Sequence, residues 1–283
     1  MGIRLMRWLL ALVTASVFFT LTLPEKREHS AFVNLEQQVK ISTADSLQDD
    51  SLSYGLPPAL AERARAPRPV IPVVIFHGSR DRKVVSLTFD ACSATGPSRY
   101  DERIMDILIE TETPATLFLG GRWMEEQPEP TRFLASLPQF ELANHAFHHP
   151  HLKLVSDDSI RQELRRTQEV MDSLTGRQPT LFRPPYGEYD DRVVRIAAEM
   201  GLTTIQYDLA SGDPDPGFTK EMLIRYVTTT AINGSIIVMH MNQGGWHTAE
   251  ALPEIIARLR KRGFAFKTVT DMITQTNQRD MDK

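Results

Sequence analysis

Four of the chain's eight histidines fall between positions 145 and 151, in the run Asn144-His145-Ala146-Phe147-His148-His149-Pro150-His151. A neutral imidazole donates a lone pair to transition metals, and two rings four residues apart can converge on one ion. His145 and His149 have that spacing, while His148 and His151 are expected to point elsewhere or to support the pair. Packed or surface histidines are the competing reading, but Asn144, Phe147 and Pro150 suggest a buried, shaped turn.

Other residues offer complementary chemistry. Asp90 follows Thr88-Phe89 and is either a turn-capping carboxylate or a base that takes a proton from an attacking water. In Arg183-Pro184-Pro185-Tyr186-Gly187 the two prolines leave Arg183 and the Tyr186 amide little freedom. A guanidinium beside a carboxylate favours its ionised form. His240 ends the aliphatic run Ile236-Ile237-Val238-Met239 and is either a core histidine or a general acid. Asp208 and Asp213 are possible partners that would orient its ring and raise its pKa, although turn chemistry also explains Asp213. Trp246, beside Gly244-Gly245, and Trp123 have faces suited to sugar rings and equally suited to packing.

Elements must bring these residues to one place. Short apolar runs predict strands over 84–89, 115–119, 140–143, 180–182, 203–207, 235–239 and 265–269. Amphipathic stretches predict helices over 100–110, 159–174, 191–200, 220–231 and 249–262. Gly176, Gly201 and Gly263 each follow one of these helices, where a left-handed cap is wanted. About seven strand–helix units predict an α/β fold, a (β/α) barrel or a distorted one, with chemistry at the C-terminal ends of its strands. Asp90, His145, Arg183, Asp208 and His240 each lie just past a predicted strand.

The N-terminus sets an expected compartment. Arg4 and Arg7 precede an uncharged apolar run over 8–23, the pattern of a secretory targeting segment. Bulky residues at its end argue for an uncleaved signal anchor over residues 1–23, with cleavage and secretion as the alternative. Residues 24–70 read as a polar, proline-rich stalk, 71–275 as the catalytic domain and 276–283 as a polar tail. That domain is expected outside the cytoplasm, at the cell surface or in a periplasm. A net charge of −4 gives no footprint for nucleic acid. The lone cysteine, Cys92, excludes an intrachain disulfide.

Over about residues 82 to 273 these motifs and their order resemble the polysaccharide deacetylase family, carbohydrate esterase family 4. Thr88-Phe89-Asp90 resembles the start of its first motif, and His145 with His149 resembles its His-x-x-x-His motif. Arg183-Pro184-Pro185-Tyr186 resembles the third motif, the Asp208–Asp213 region loosely the fourth, and the strand ending at His240 the fifth. The resemblance implies a distorted (β/α) barrel that removes acetyl groups from an N-acetylated glycan with a divalent metal, usually zinc. It implies that His145 and His149 bind the metal, that Asp90 is the base and that Arg183 orients it. His240 would be the acid with Asp208 behind it, Tyr186 would supply an oxyanion N–H, and Trp246 would contact sugar. One position departs from the pattern: the family's second aspartate, a metal ligand, is Ala91. Two histidines with waters, Asp90, Cys92 or Asp101 would have to make up the loss. The alternative is a catalytically impaired glycan-binding protein on the same fold.

Overall fold

The computed structural model describes residues 72–280, apart from 95, 97 and 243. Within them the strands are β1 (Val74–Ile75), β2 (Val84–Ala91), β3 (Ala115–Leu119), β4 (Phe140–Asn144), β5 (Leu181–Phe182), β6 (Thr203–Ile205), β7 (Leu209–Ala210), β8 (Ile236–His240) and β9 (Ala265–Phe266). The helices are α1 (Glu102–Glu110), α2 (Gly121–Glu126), α3 (Pro128–Ser136), α4 (Asp157–Thr175), α5 (Asp191–Glu199), α6 (Lys220–Thr230), α7 (Thr248–Lys261) and α8 (Val269–Asp280). The strand order is β1-β6-β5-β4-β3-β2-β8-β7, with β9 also on β2, and every ladder is parallel. This is a curled parallel sheet wrapped by helices, in keeping with a distorted (β/α) barrel. No ladder joins β1 to β7 among the described residues.

Alternation along β2 explains how an apolar strand carries polar chemistry. Its eight residues are all buried. Val85, Leu87, Phe89 and Ala91 pack into the main apolar cluster with side chains of α1 and α7. Ser86, Thr88 and Asp90 therefore share the opposite face, because successive strand side chains point to opposite sides. The parallel register sets Asp90 beside Phe118 of β3 and beside His240 of β8. Asn144 ends β4 and pairs with Phe182 at the end of β5, so His145 and Arg183 leave the sheet together.

Helix ends follow local chemistry. Ser156 caps α4 by accepting the Ser159 N–H, Asp157 and Asp158 occupy its first turn, and Gly176 ends it at φ 67°. Gly201 and Gly263 also take positive φ. The expected strand over 265–269 is shorter, since Val269 begins α8 with its N–H on Thr116 Oγ1. Among the described residues no helix is long and apolar enough to cross a membrane. The expected anchor (1–23) and stalk (24–70) lie outside the described residues.

Candidate active site

The C-terminal ends of β2, β4, β5 and β8 open into a cleft of about 450 Å³, lined by Asp90, Cys92, His145, His149, Tyr186, Tyr207, Asp213 and His240, among others. Asp90, Arg183, His145 and His240, each just past a predicted strand, are brought together, and His149 joins them from the turn after β4.

The carboxylate is fixed from behind. Arg183, 1% exposed, donates from Nη1 to Asp90 Oδ1 at 2.7 Å and to Thr88 Oγ1 at 2.9 Å, and its guanidinium lies 3.9 Å over the Phe118 ring. Burial alone would raise the Asp90 pKa, but the Arg183 charge and hydrogen bond, with the His145 and His240 rings close by, outweigh it and hold the carboxyl below its usual value. Asp90 is thus an ionised carboxylate with one oxygen held and Oδ2 left, 3.7 Å from His145 Nε2.

The imidazole pair comes from a turn with unusual backbone. The ring centroids of His145 and His149 are 5.0 Å apart. His145 Nδ1 lies 2.8 Å from the Arg183 carbonyl, which can only accept, so Nδ1 carries the proton and Nε2 presents its lone pair. His149 Nδ1 is buried with no hydrogen-bond partner among the described residues. Burial, with His145 nearby, pushes the His149 pKa down to about 3, and burial also lowers that of His145, so both rings are neutral donors at physiological pH. Ala146 and His149 have φ of 59° and 60°, and Tyr186 has φ 60°. These are three of the four non-glycine residues with positive φ among the described residues, a concentration of strain typical of functional sites.

This donor set suits a divalent cation that prefers nitrogen, but only in part. Among the described residues no three His, Cys, Asp or Glu side chains are grouped to hold a metal ion. Ala91 is wholly buried in the main apolar cluster. The substitutes considered from sequence do not fill the gap. Asp101 caps α1 and binds Arg103. Burial pushes the Cys92 thiol up to about 11, away from the thiolate a metal wants.

The second half of the site corrects the expectation for Asp208. His240 Nδ1 lies 3.0 Å from Asp213 Oδ1, and Asp213 Oδ2 accepts the His240 N–H at 2.7 Å and the Thr248 hydroxyl at 2.7 Å. Asp208 instead accepts from Arg80, Ser235 Oγ and the Ile236 N–H. Its position just after the predicted strand over 203–207 misleads, because that strand stops at Ile205 and Asp208 then precedes β7, level with the start of β8. His240 is four residues further along β8, about 13 Å away at the rise of a strand. Burial would lower the His240 pKa, but the Asp213 hydrogen bond and charge, helped by Asp90, raise it overall.

The aromatic residues divide. Tyr186, half exposed, stacks on His151 at 4.1 Å and meets the His149 ring edge-on at 4.4 Å. Trp123 is buried core, in T-shaped contact with Tyr100. Trp246 is 58% exposed, its backbone N–H donates to the Asp213 carbonyl, and its side chain is not among those lining the cleft. Asp213 was legible only as a candidate, since nothing local separates a loop aspartate that turns the chain from one that also holds a ring.

The profile of the family described as Polysaccharide deacetylase matches residues 77–205. A peptidoglycan-N-acetylglucosamine deacetylase of Bacillus cereus is 30% identical over 207 residues, covering 72% of this chain and 73% of the relative. The peptidoglycan-N-acetylmuramic acid deacetylase PdaA of Bacillus subtilis is 28% identical over 207 residues, 72% of this chain and 76% of that one. Among solved structures, a CE4 family pseudoenzyme from Bacillus anthracis is similar with a TM-score of 0.63 at 30% identity, covering 71% of this chain and 69% of that one.

Proposed function

From the premise that the chain belongs to the polysaccharide deacetylase family, we propose that it removes acetyl groups from an acetylated glycan of the peptidoglycan type. One observation carries the reading: an ionised carboxylate clamped by Arg183 and a histidine clamped by Asp213 flank a pair of neutral imidazoles in a single cleft.

His145 and His149 would hold the divalent cation, and two neutral imidazole nitrogens favour zinc. When bound, such an ion polarises a carbonyl and acidifies a coordinated water. Asp90 Oδ2 takes a proton from the attacking water, whose oxygen bonds to the acetamide carbon. The Tyr186 N–H, pre-set by the prolines and the left-handed backbone, stabilises the oxyanion. His240 gives its proton to the amide nitrogen, the C–N bond breaks, and acetate and a free amine leave. Asp213 orients the His240 ring and supports its charged form. A wall polymer also suits the extracytoplasmic, membrane-anchored placement expected from residues 1–23.

The test is acetate release from N-acetylglucosamine oligomers and from peptidoglycan by the purified protein supplied with zinc or cobalt. Release that disappears in Asp90→Asn and in His240→Ala is the expected result.

Ala91 and the lack of a third ligand among the described residues favour a second reading, a glycan-binding protein without turnover, and the similarity to a pseudoenzyme supports it. Retained glycan affinity with no acetate from any acetylated glycan, with either metal, would select that reading.

A further inference from the structure

We propose that Glu163 is a positioning residue for the cation-binding turn, acting through the backbone between His145 and His149. The inference rests on the reading that these two histidines hold a cation. Glu163 lies in the middle of α4, and its carboxylate is largely buried. Oε2 accepts two consecutive backbone amides of the turn, Phe147 N–H at 2.8 Å and His148 N–H at 2.7 Å. Oε1 lies 2.7 Å from His148 Nδ1. All three donors belong to the segment between the two ligands.

The same stretch of α4 grips the turn twice more. The Leu164 carbonyl accepts from Asn144 Nδ2 at 2.9 Å, and the Arg166 guanidinium lies 3.6 Å over the Phe147 ring. These contacts have a conformation to hold. Ala146 and His149 sit in left-handed backbone, which residues with a Cβ adopt at a cost. His149 Nδ1 has no partner among the described residues, so no hydrogen bond at that nitrogen sets its ring. The ring is placed by the backbone and by its edge contacts with His145 and Tyr186, and the two amides just before it end on one oxygen of Glu163. A ligand-bearing turn held from outside in this way keeps its donor atoms converged before any cation arrives, which is how supporting residues raise metal affinity.

The chemistry of that single oxygen separates geometry from charge. In Glu163→Gln the amide oxygen still accepts both backbone N–H groups, and the side-chain NH₂ can donate to a neutral His148 Nδ1. In Glu163→Ala all three contacts are lost. Zinc and cobalt titrations of the full chain, followed by calorimetry and by the cobalt absorption bands, should give an affinity about 10- to 100-fold weaker for Glu163→Ala. Glu163→Gln should stay near wild type, and the melting temperature of the cation-free protein should not account for the difference. Hydrogen exchange on the cation-free chain should show the Phe147 and His148 amides opening faster in the alanine variant alone. Unchanged affinity and exchange in Glu163→Ala would overturn the proposal, as would a glutamine variant that loses as much as the alanine one. If the wild type binds no cation at all, the deacetylase reading fails separately, and the exchange rates still decide whether Glu163 holds the turn.

Discussion

At the scale of single residues, the site works by pairing each reactive group with a fixed partner, and each partnership has its own signature. His240 has a folded pKa above the free value of 6.5. Its acid form therefore persists above that pH, and the limb of kcat/KM that reports His240 should lie on the alkaline side, falling as the pH passes the raised value. Removing the Asp213 charge with Asp213→Asn should move that limb to lower pH and lower kcat. The same pairing contributes stability fully below pH 6.5 and loses it as pH rises through the folded pKa. A pH series of melting temperatures for wild type and Asp213→Asn checks the sign. Asp90 has a structural burden as well, because Asp90→Ala leaves the buried Arg183 charge uncompensated. That change should cost about 3–5 kcal/mol in chemical denaturation besides abolishing turnover. Most of these residues were legible from type and spacing. The choice of Asp213 over Asp208 was not, since it depends on where β6 ends and β7 begins.

At the scale of elements, two buried small residues should report on the turn and the strand that carry the ligands. Gly121 opens α2, and a Cβ there would come within 2.3 Å of Phe147 Cδ2. Gly121→Ala should push Phe147 and weaken cobalt affinity while leaving most of the fold intact, as read by titration beside circular dichroism. Ala91 shares the helix-facing side of β2 with Phe89 and Leu87. An aspartate placed there without a cation is a buried unpaired carboxylate, so Ala91→Asp should lower the melting temperature of the cation-free protein. If the carboxylate reaches the histidine pair, zinc should raise that temperature more than it does in wild type. Equal zinc responses in the two proteins would show that the side chain stays under the helices. The long amphipathic helices and their glycine caps were readable in sequence because periodicity and cap chemistry are local. The two-residue strands β1 and β7 and the six-residue helix α2 were not, because so few residues carry no period, and Pro128 and Pro130 at the start of α3 read as a break rather than a helix.

At the scale of the whole molecule, the curled sheet is not fastened everywhere in the same way. Most of it is held by parallel ladders, but the chain between β1 and β2 crosses to β8 through a single antiparallel bridge, His77 to Ser235. There Arg80 donates to Asp208 at 2.8 Å and to the Asn233 carbonyl, and Asn233 returns a bond to the Arg80 carbonyl. Asp208 therefore serves closure. Asp208→Ala strips the acceptor from the Ile236 N–H and the Ser235 hydroxyl and should cost about 1–3 kcal/mol while leaving the pH dependence of kcat unchanged. An altered pH profile would return Asp208 to the chemistry. Arg80 and Asp208 are 128 residues apart in the chain. Contacts of such long separation are entropically costly to close and tend to be made late. During refolding this seam should latch after the neighbouring strands have docked, and under rising denaturant it gives the curled sheet a hinge line along which to gape before any ladder unzips.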